Sequence, residues 1–200
     1  MDRNAREVAA RSRQTWPRAP TSEGSPRGEE GEPMIVIDIG CARYGGDYSI
    51  ERLIEEFHPD VLYGFDPNQG SDEYPWPPHP PGGPTGPTKA TRILIEKKAA
   101  WIYDGEIGFR SDSLNSWVTE LRDAPKVPCF DLARFIVDLD ANDIILKIDA
   151  EGSEYALLRH LIARRADALL KLVWVEWHEP DRGRALIEEE IACEIVEWRW

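Results

Sequence analysis

Apolar positions first concentrate in Met34-Ile-Val-Ile-Asp-Ile-Gly40, a short and nearly continuous run that predicts a strand buried on both faces of a parallel sheet. A glycine-bearing turn follows, from Cys41 to Gly46. Asp47 and Ser49 then offer helix N-caps. Ile50, Leu53, Ile54 and Phe57 recur at i, i+3, i+4 and i+7, the apolar face of one helix, which Pro59 ends. Val61 to Phe65, closed by Asp66, predicts a second strand. The resulting strand–helix–strand unit is expected to cross over with right-handed sense.

The pattern breaks over residues 67–91. Eight of the sixteen prolines lie between Pro67 and Pro87, together with Gly82 and Gly83, so no helix is expected there and the segment reads as a long loop. Regular patterning resumes with strands at Arg92–Glu96 and Ala99–Tyr103. Asp104-Gly105 gives a turn signal, and Glu106–Phe109 reads as a short hairpin strand. Phe130–Leu139 predicts a helix and Ile144–Ile148, ending at Asp149, a central strand. Ser153 is placed to cap a helix that buries Ala156, Leu157 and Leu161. A strand at Leu172–Glu176, a helix over 182–190 and a last strand at Ala192–Trp198 complete the series. Alternating strands and helices of this size predict an α/β fold: a Rossmann-like, doubly wound, mostly parallel sheet with helices on both faces.

Residues 1–33 lack apolar periodicity and read as a disordered tail, because they cannot bury enough surface to offset the entropy of ordering. The expected organisation is therefore a tail at 1–33 and one domain at 34–200, with the Pro-rich loop at 67–91 inserted in it. The tail carries six basic and six acidic side chains, so the net charge of −13 falls entirely on residues 34–200. That balance repels a phosphate backbone and argues against a nucleic-acid partner. No apolar run approaches a membrane span, and no apolar leader is visible, so a cytoplasmic protein is expected. Cys41, Cys129 and Cys193 form neither a disulfide framework nor a CxxC metal site.

Ligands of such sheets bind beyond the carboxyl ends of the strands, where Asp38, Asp66, Asp149 and Glu176 gather. Each alone reads as a solvated loop residue; four at one edge point to a ligand. The turn D-I-G-C-A-R-Y-G-G places Ala42 where a dinucleotide fingerprint needs its second glycine. Asp38, just before Gly40, suits a cationic ligand better than a pyrophosphate. Lys147, inside an apolar strand, is expected to pair with a carboxylate. His178, after the fifth strand, is a candidate base with an ordinary pKa near ~6.5, weighed equally against a loop histidine bonded to a carbonyl. His58, His79 and His160 read as surface or helix residues, and most of the eight tryptophans as packing.

Several segments together resemble the FkbM-type methyltransferases: I-V-I-D-I-G with G-D-Y-S, then Y-G-F-D-P-N, K-A-A-W, Val127-Pro-Cys-Phe-Asp-Leu-Ala, and above all L-K-I-D-A-E-G-S-E-Y-A-L-L. The resemblance covers roughly residues 34 to 180, and the K-I-D-x-E-G-x-E block is its most specific part. It implies a class I methyltransferase fold, S-adenosylmethionine as cofactor, and O-methylation of a hydroxyl on a sugar or other small metabolite. Carried over by motif, Asp38 and Gly40 line the methionine end, Gly46 belongs to the same turn, Asp66 holds the ribose hydroxyls, Asn68 supports that loop, and Ala99 and Ala100 lie near adenine. Asp149 and Glu151 face the transferred methyl group or the acceptor, with His178 as a third catalytic candidate. The turn after Gly40 is about two residues longer than the family's. The Pro-rich segment stands in place of the second crossover helix. The chain ends after the sixth strand, so the family's last edge strand is expected to be missing, and the open edge is a candidate homo-oligomer contact.

Two other classes fit the same architecture. A nicotinamide-dependent oxidoreductase or epimerase is disfavoured by Ala42 and by the lack of a Tyr-x-x-x-Lys pair. A non-catalytic scaffold, with the Pro-rich loop as contact surface, is consistent with the fold alone. The carboxylates and imidazole of Asp149, Glu151, Glu176 and His178 are also donors that a divalent metal takes, but their spacing matches no established metal motif and none is assigned.

Overall fold

The computed structural model describes residues 33–41, 49–68, 91–112, 115–178 and 183–199. The expected tail, the turn containing Gly46 and most of the Pro-rich loop lie outside the described residues.

Strand β1 (Ile35–Ile39) is buried at every position, as a strand covered on both faces must be. Helix α1 (Ser49–Phe57) returns the chain to β2 (Val61–Phe65), which pairs in parallel with β1, Ile35 opposite Val61. Strand β3 (Arg92–Glu96) extends the sheet beyond β2. Then β4 (Ala99–Trp101), β5 (Gly105–Asp112), β6 (Asn115–Thr119) and β7 (Lys126–Asp131) build a separate sheet, in the order β4-β7-β5-β6. Helix α2 (Leu132–Asp138) leads back to the first sheet at β8 (Ile144–Ile148). Helix α3 (Glu154–Arg164), a 3-10 turn at Ala166–Leu169, β9 (Leu170–Val175), α4 (Arg184–Glu190) and β10 (Glu194–Glu197) follow.

The main sheet has six strands in the order β10-β9-β8-β1-β2-β3, and every described pairing in it is parallel. The chain is thus an α/β protein built on a parallel six-stranded sheet. Strand order runs outward from β1 in one direction and from β8 in the other, so it reverses between these two strands. A crevice opens at such a point because the connections leave the sheet on opposite sides.

The two faces are sorted by the period of two along the strands. Val36, Leu62 and Ile145 point to one side, where Ile50 and Leu53 of α1 close the core and Ile54 and Phe57 pack at its margin. On the other side Tyr63 and Phe65 meet Phe130 and Phe135, with ring centroids 4.4–5.3 Å apart. Helices therefore cover both faces. The second sheet has its own small core of Ala99, Trp101, Ile107 and Cys129.

Three expectations need correction. The strand expected at Ala99–Tyr103 ends at Trp101, and it opens a second sheet by pairing with β7 instead of joining the main one. Residues 106–109 belong to a longer strand with two antiparallel neighbours, β6 and β7. The helix expected from Phe130 begins at Leu132, because Phe130 and Asp131 finish β7 and Asp131 caps the helix by accepting from the Arg134 amide at 3.1 Å. Among the described residues, no helix is long and apolar enough to cross a membrane.

Candidate functional site

The carboxyl ends of β1, β2 and β8 converge on a narrow cleft of about 50 Å³ at the point where strand order reverses. Gly40, Asp66, Ala99, Ala100 and Asp149 all line it. A second, larger groove of about 680 Å³ is lined by Trp101, Trp117, Tyr155, Arg159 and Glu151. Val118 and Ser153 line both, so the two spaces adjoin.

Asp38 does not line the cleft. It is fully buried and is the register partner of Lys147 across β1 and β8, which puts both side chains on the α1 side of the sheet. Its Oδ2 accepts from the Ser49 hydroxyl at 2.6 Å, and its Oδ1 lies 3.2 Å from Lys147 Nζ. Lys147 also donates to the Gly40 carbonyl at 2.9 Å and stands 3.5 Å from Asp149 Oδ2. Burial alone would lower the lysine pKa, but Asp38 and Asp149 outweigh it, so the ammonium is held charged. A buried charge of this kind must be paired, and here the pairing ties the end of β1 to the end of β8.

Gly40 has φ +79°, and a Cβ placed there would stand 1.8 Å from the Asp149 carbonyl oxygen. The glycine is thus required by close backbone packing between the two strand ends as well as by its left-handed conformation. Asp66 is buried at the end of β2, where its Oδ1 accepts from the Asn68 amide at 2.7 Å. The Asn68 side chain reaches Ser111 Oγ at 3.5 Å, linking this loop to β5. Gly46 lies outside the described residues.

His178 sits among carboxylates. Its Nδ1 is 2.8 Å from Glu154 Oε1, and its Nε2 is 3.5 Å from Glu151 and 3.9 Å from Glu176. The bond to Glu154 and the neighbouring negative charges push the imidazole pKa up to about 9 against the opposing effect of burial. An imidazole so placed holds its proton at neutral pH, so the expectation of a base with an ordinary pKa is corrected. The Glu151 carboxyl is raised, first by burial and then by Asp149, Glu154 and Glu176, with His178 opposing. A carboxylate raised in this way is the better proton acceptor.

Glu154 is the residue that sequence reasoning missed. It is fully buried, and its Oε1 takes the amides of Ala150 and Gly152, at 3.0 and 3.1 Å, besides the His178 ring. Ser153 occupies the N-cap position of α3 but makes no side-chain capping bond. The second glutamate of K-I-D-A-E-G-S-E was the available signal. His160 lies within α3, in keeping with its reading as a helix residue, and its Nε2 stands 2.8 Å from Asp131 Oδ1.

Asp149, Glu151 and His178 each offer one donor atom, and these atoms lie within 4.8 Å of one another. The structure therefore brings together all three catalytic candidates, and places Asp66, Ala99 and Ala100 beside Gly40 and Asp149. Comparison of the chain with protein-family models, curated proteins and solved structures finds no match.

Proposed function

We propose that the chain is an S-adenosylmethionine-dependent methyltransferase with a Rossmann-like, class I fold, acting on a hydroxyl of a sugar or small metabolite. One observation carries this reading: Asp149 lines the narrow cleft at the strand-order reversal, while Glu151, two residues on, lines the aromatic groove that adjoins it. Methyl transfer needs this arrangement, a donor and an acceptor in neighbouring compartments with an acidic group at the junction.

The residues of the cleft suit the donor chemically. Asp66 supplies a carboxylate at the end of β2 for ribose hydroxyls, and Ala99 and Ala100 leave room for a flat base. Asp149 adds negative charge, favourable to a ligand that bears an ammonium and a sulfonium. When bound, the cofactor supplies an electrophilic methyl group. Glu151, at the groove, would take the proton of the acceptor hydroxyl as the oxygen is methylated. Trp101, Trp117 and Tyr155 give the groove the aromatic surface on which a sugar ring packs. The residues of the FkbM-like block thus have separate tasks: Lys147 holds the strand ends, Asp149 faces the donor, Glu151 the acceptor, and Glu154 fixes His178.

The test is mass spectrometry of the purified protein incubated with S-adenosylmethionine and a library of hydroxylated metabolites. A product heavier by one methylene, absent with Glu151→Gln, supports the reading. Turnover confined to amine or thiol acceptors would overturn the hydroxyl assignment.

A further inference from the structure

We infer that Asp149, Glu151 and His178 bind a divalent cation of the manganese or magnesium type at the mouth of the acceptor groove. The inference deepens the methyltransferase reading, and rests on it only for what the ion does there.

The donor atoms of these three residues lie within 4.8 Å of one another, and Glu176 Oε1 lies 3.9 Å from His178 Nε2. Carboxylate oxygens with one imidazole nitrogen are a ligand set for a hard or borderline cation. Acidic groups gather on many surfaces without an ion, so the cluster alone would carry little. Glu154 is the independent observation. It is a carboxylate with no exposure to solvent, its Oε2 has no hydrogen-bond partner among the described residues, and its Oε1 holds Nδ1 of His178. Burying an incompletely satisfied anion is costly unless positive charge stands close by; without an ion the protonated His178 ring supplies it, and the cation would displace the Nε2 proton and take over that role. With Nδ1 taken from below, the ring can turn only Nε2 toward Glu151 and Glu176. That is the carboxylate–histidine–metal arrangement, in which the buried carboxylate orients the ring and raises its basicity as a ligand. The backbone makes the same geometry: Glu151 has φ +49° and Gly152 +95°, a tight turn that returns Glu151 to the side of His178.

The cation would sit where Glu151 meets the groove. An acceptor hydroxyl bound to it would become more acidic and be fixed in position, its proton passing to the Glu151 oxygen that the ion does not engage. Acceptors that present two adjacent oxygens to the ion are accordingly favoured over isolated hydroxyls.

Manganese binding to the full chain, followed by loss of the free-ion electron paramagnetic resonance signal, tests this. One site is expected. His178→Ala and Glu151→Gln should each weaken it at least tenfold. Glu154→Gln, which keeps an acceptor oxygen but loses the charge, should weaken it by about 10- to 100-fold. Glu151 is partly exposed, so its variant reports on binding even where a buried change disturbs folding. No saturable manganese site, or a site indifferent to all three substitutions and thus due to the general acidity of the surface, would overturn the inference. Titration with S-adenosylmethionine after chelation separates the two readings. Cofactor binding without a manganese site refutes the metal and leaves the methyltransferase standing; a manganese site without cofactor binding does the reverse.

Discussion

Lys147 Nζ lies 3.2 Å from Asp38 Oδ1 and 2.9 Å from the Gly40 carbonyl oxygen, with both Asp38 and Lys147 wholly shielded from solvent. The pair binds the central strands β1 and β8 at the end where the cleft opens. Substituting Lys147 with Met removes the only ammonium that faces Asp38 among the described residues and strands the carboxylate in the core. Breaking one side of a buried pair costs roughly 3–5 kcal/mol. Urea unfolding should show that loss as a lower midpoint with unchanged slope. A midpoint within error of the parent would contradict the assignment of this pair as the tie between the strands.

Gly40→Ala is expected to be similarly severe. The backbone there is left-handed, at φ +79°, and the added methyl would meet the Asp149 carbonyl oxygen at 1.8 Å. Strain of the conformation alone costs about 1–3 kcal/mol, and relief of the clash requires β1 and β8 to part. Thermal melting should place this variant well below the parent, whereas Gly152→Ala, with open space around it, should suffer only the conformational cost.

Asp38 and Asp66 are distinguishable by two readouts. Asp66 lines the cleft, so Asp66→Ala should lower S-adenosylmethionine affinity at least tenfold while the protein still melts cooperatively. Asp38 does not reach the cleft, so Asp38→Ala should first lose stability, because Lys147 and Ser49 lose their shared partner. Titration calorimetry and a melting curve on each variant decide it. Unchanged affinity in a folded Asp66→Ala protein would remove Asp66 from the site.

Much of this architecture is legible in the sequence because it is periodic. The continuous apolar run of β1, the i, i+3, i+4, i+7 face of α1 and the apolar block of β8 each state their environment locally. A lysine inside an apolar strand announces a carboxylate partner, but its identity depends on a register between β1 and β8 that the local pattern does not contain. The second sheet was hidden for a different reason. Pro128 lies within β7, facing Glu106 of β5, and proline disguises a strand whose partners are far along the chain. Glu154 was hidden by its type. A glutamate opening a helix reads as solvated, and only the tertiary approach of His178 shows why it is buried.

The cysteines offer a check on burial independent of function. Burial and nearby carboxylates push Cys129 and Cys193 up to about 11, and Cys41 is raised as well by burial and by Asp38 and Asp66. Reactivity follows the thiolate. At pH ~8 a thiol shifted from near 9 to about 11 has roughly a hundredfold less thiolate, so native alkylation by iodoacetamide should be slower by about that factor than in urea. Rapid labelling of Cys129 in the folded chain would show that the small core of the second sheet is open.

Isothermal titration of the folded protein with S-adenosylmethionine, S-adenosylhomocysteine and NADH tests the central claim most directly. Saturable binding of both adenosyl ligands at a single site, with no heat from NADH, is the predicted result. NADH binding in their place, or silence toward both adenosyl ligands from a sample that melts cooperatively, would contradict it.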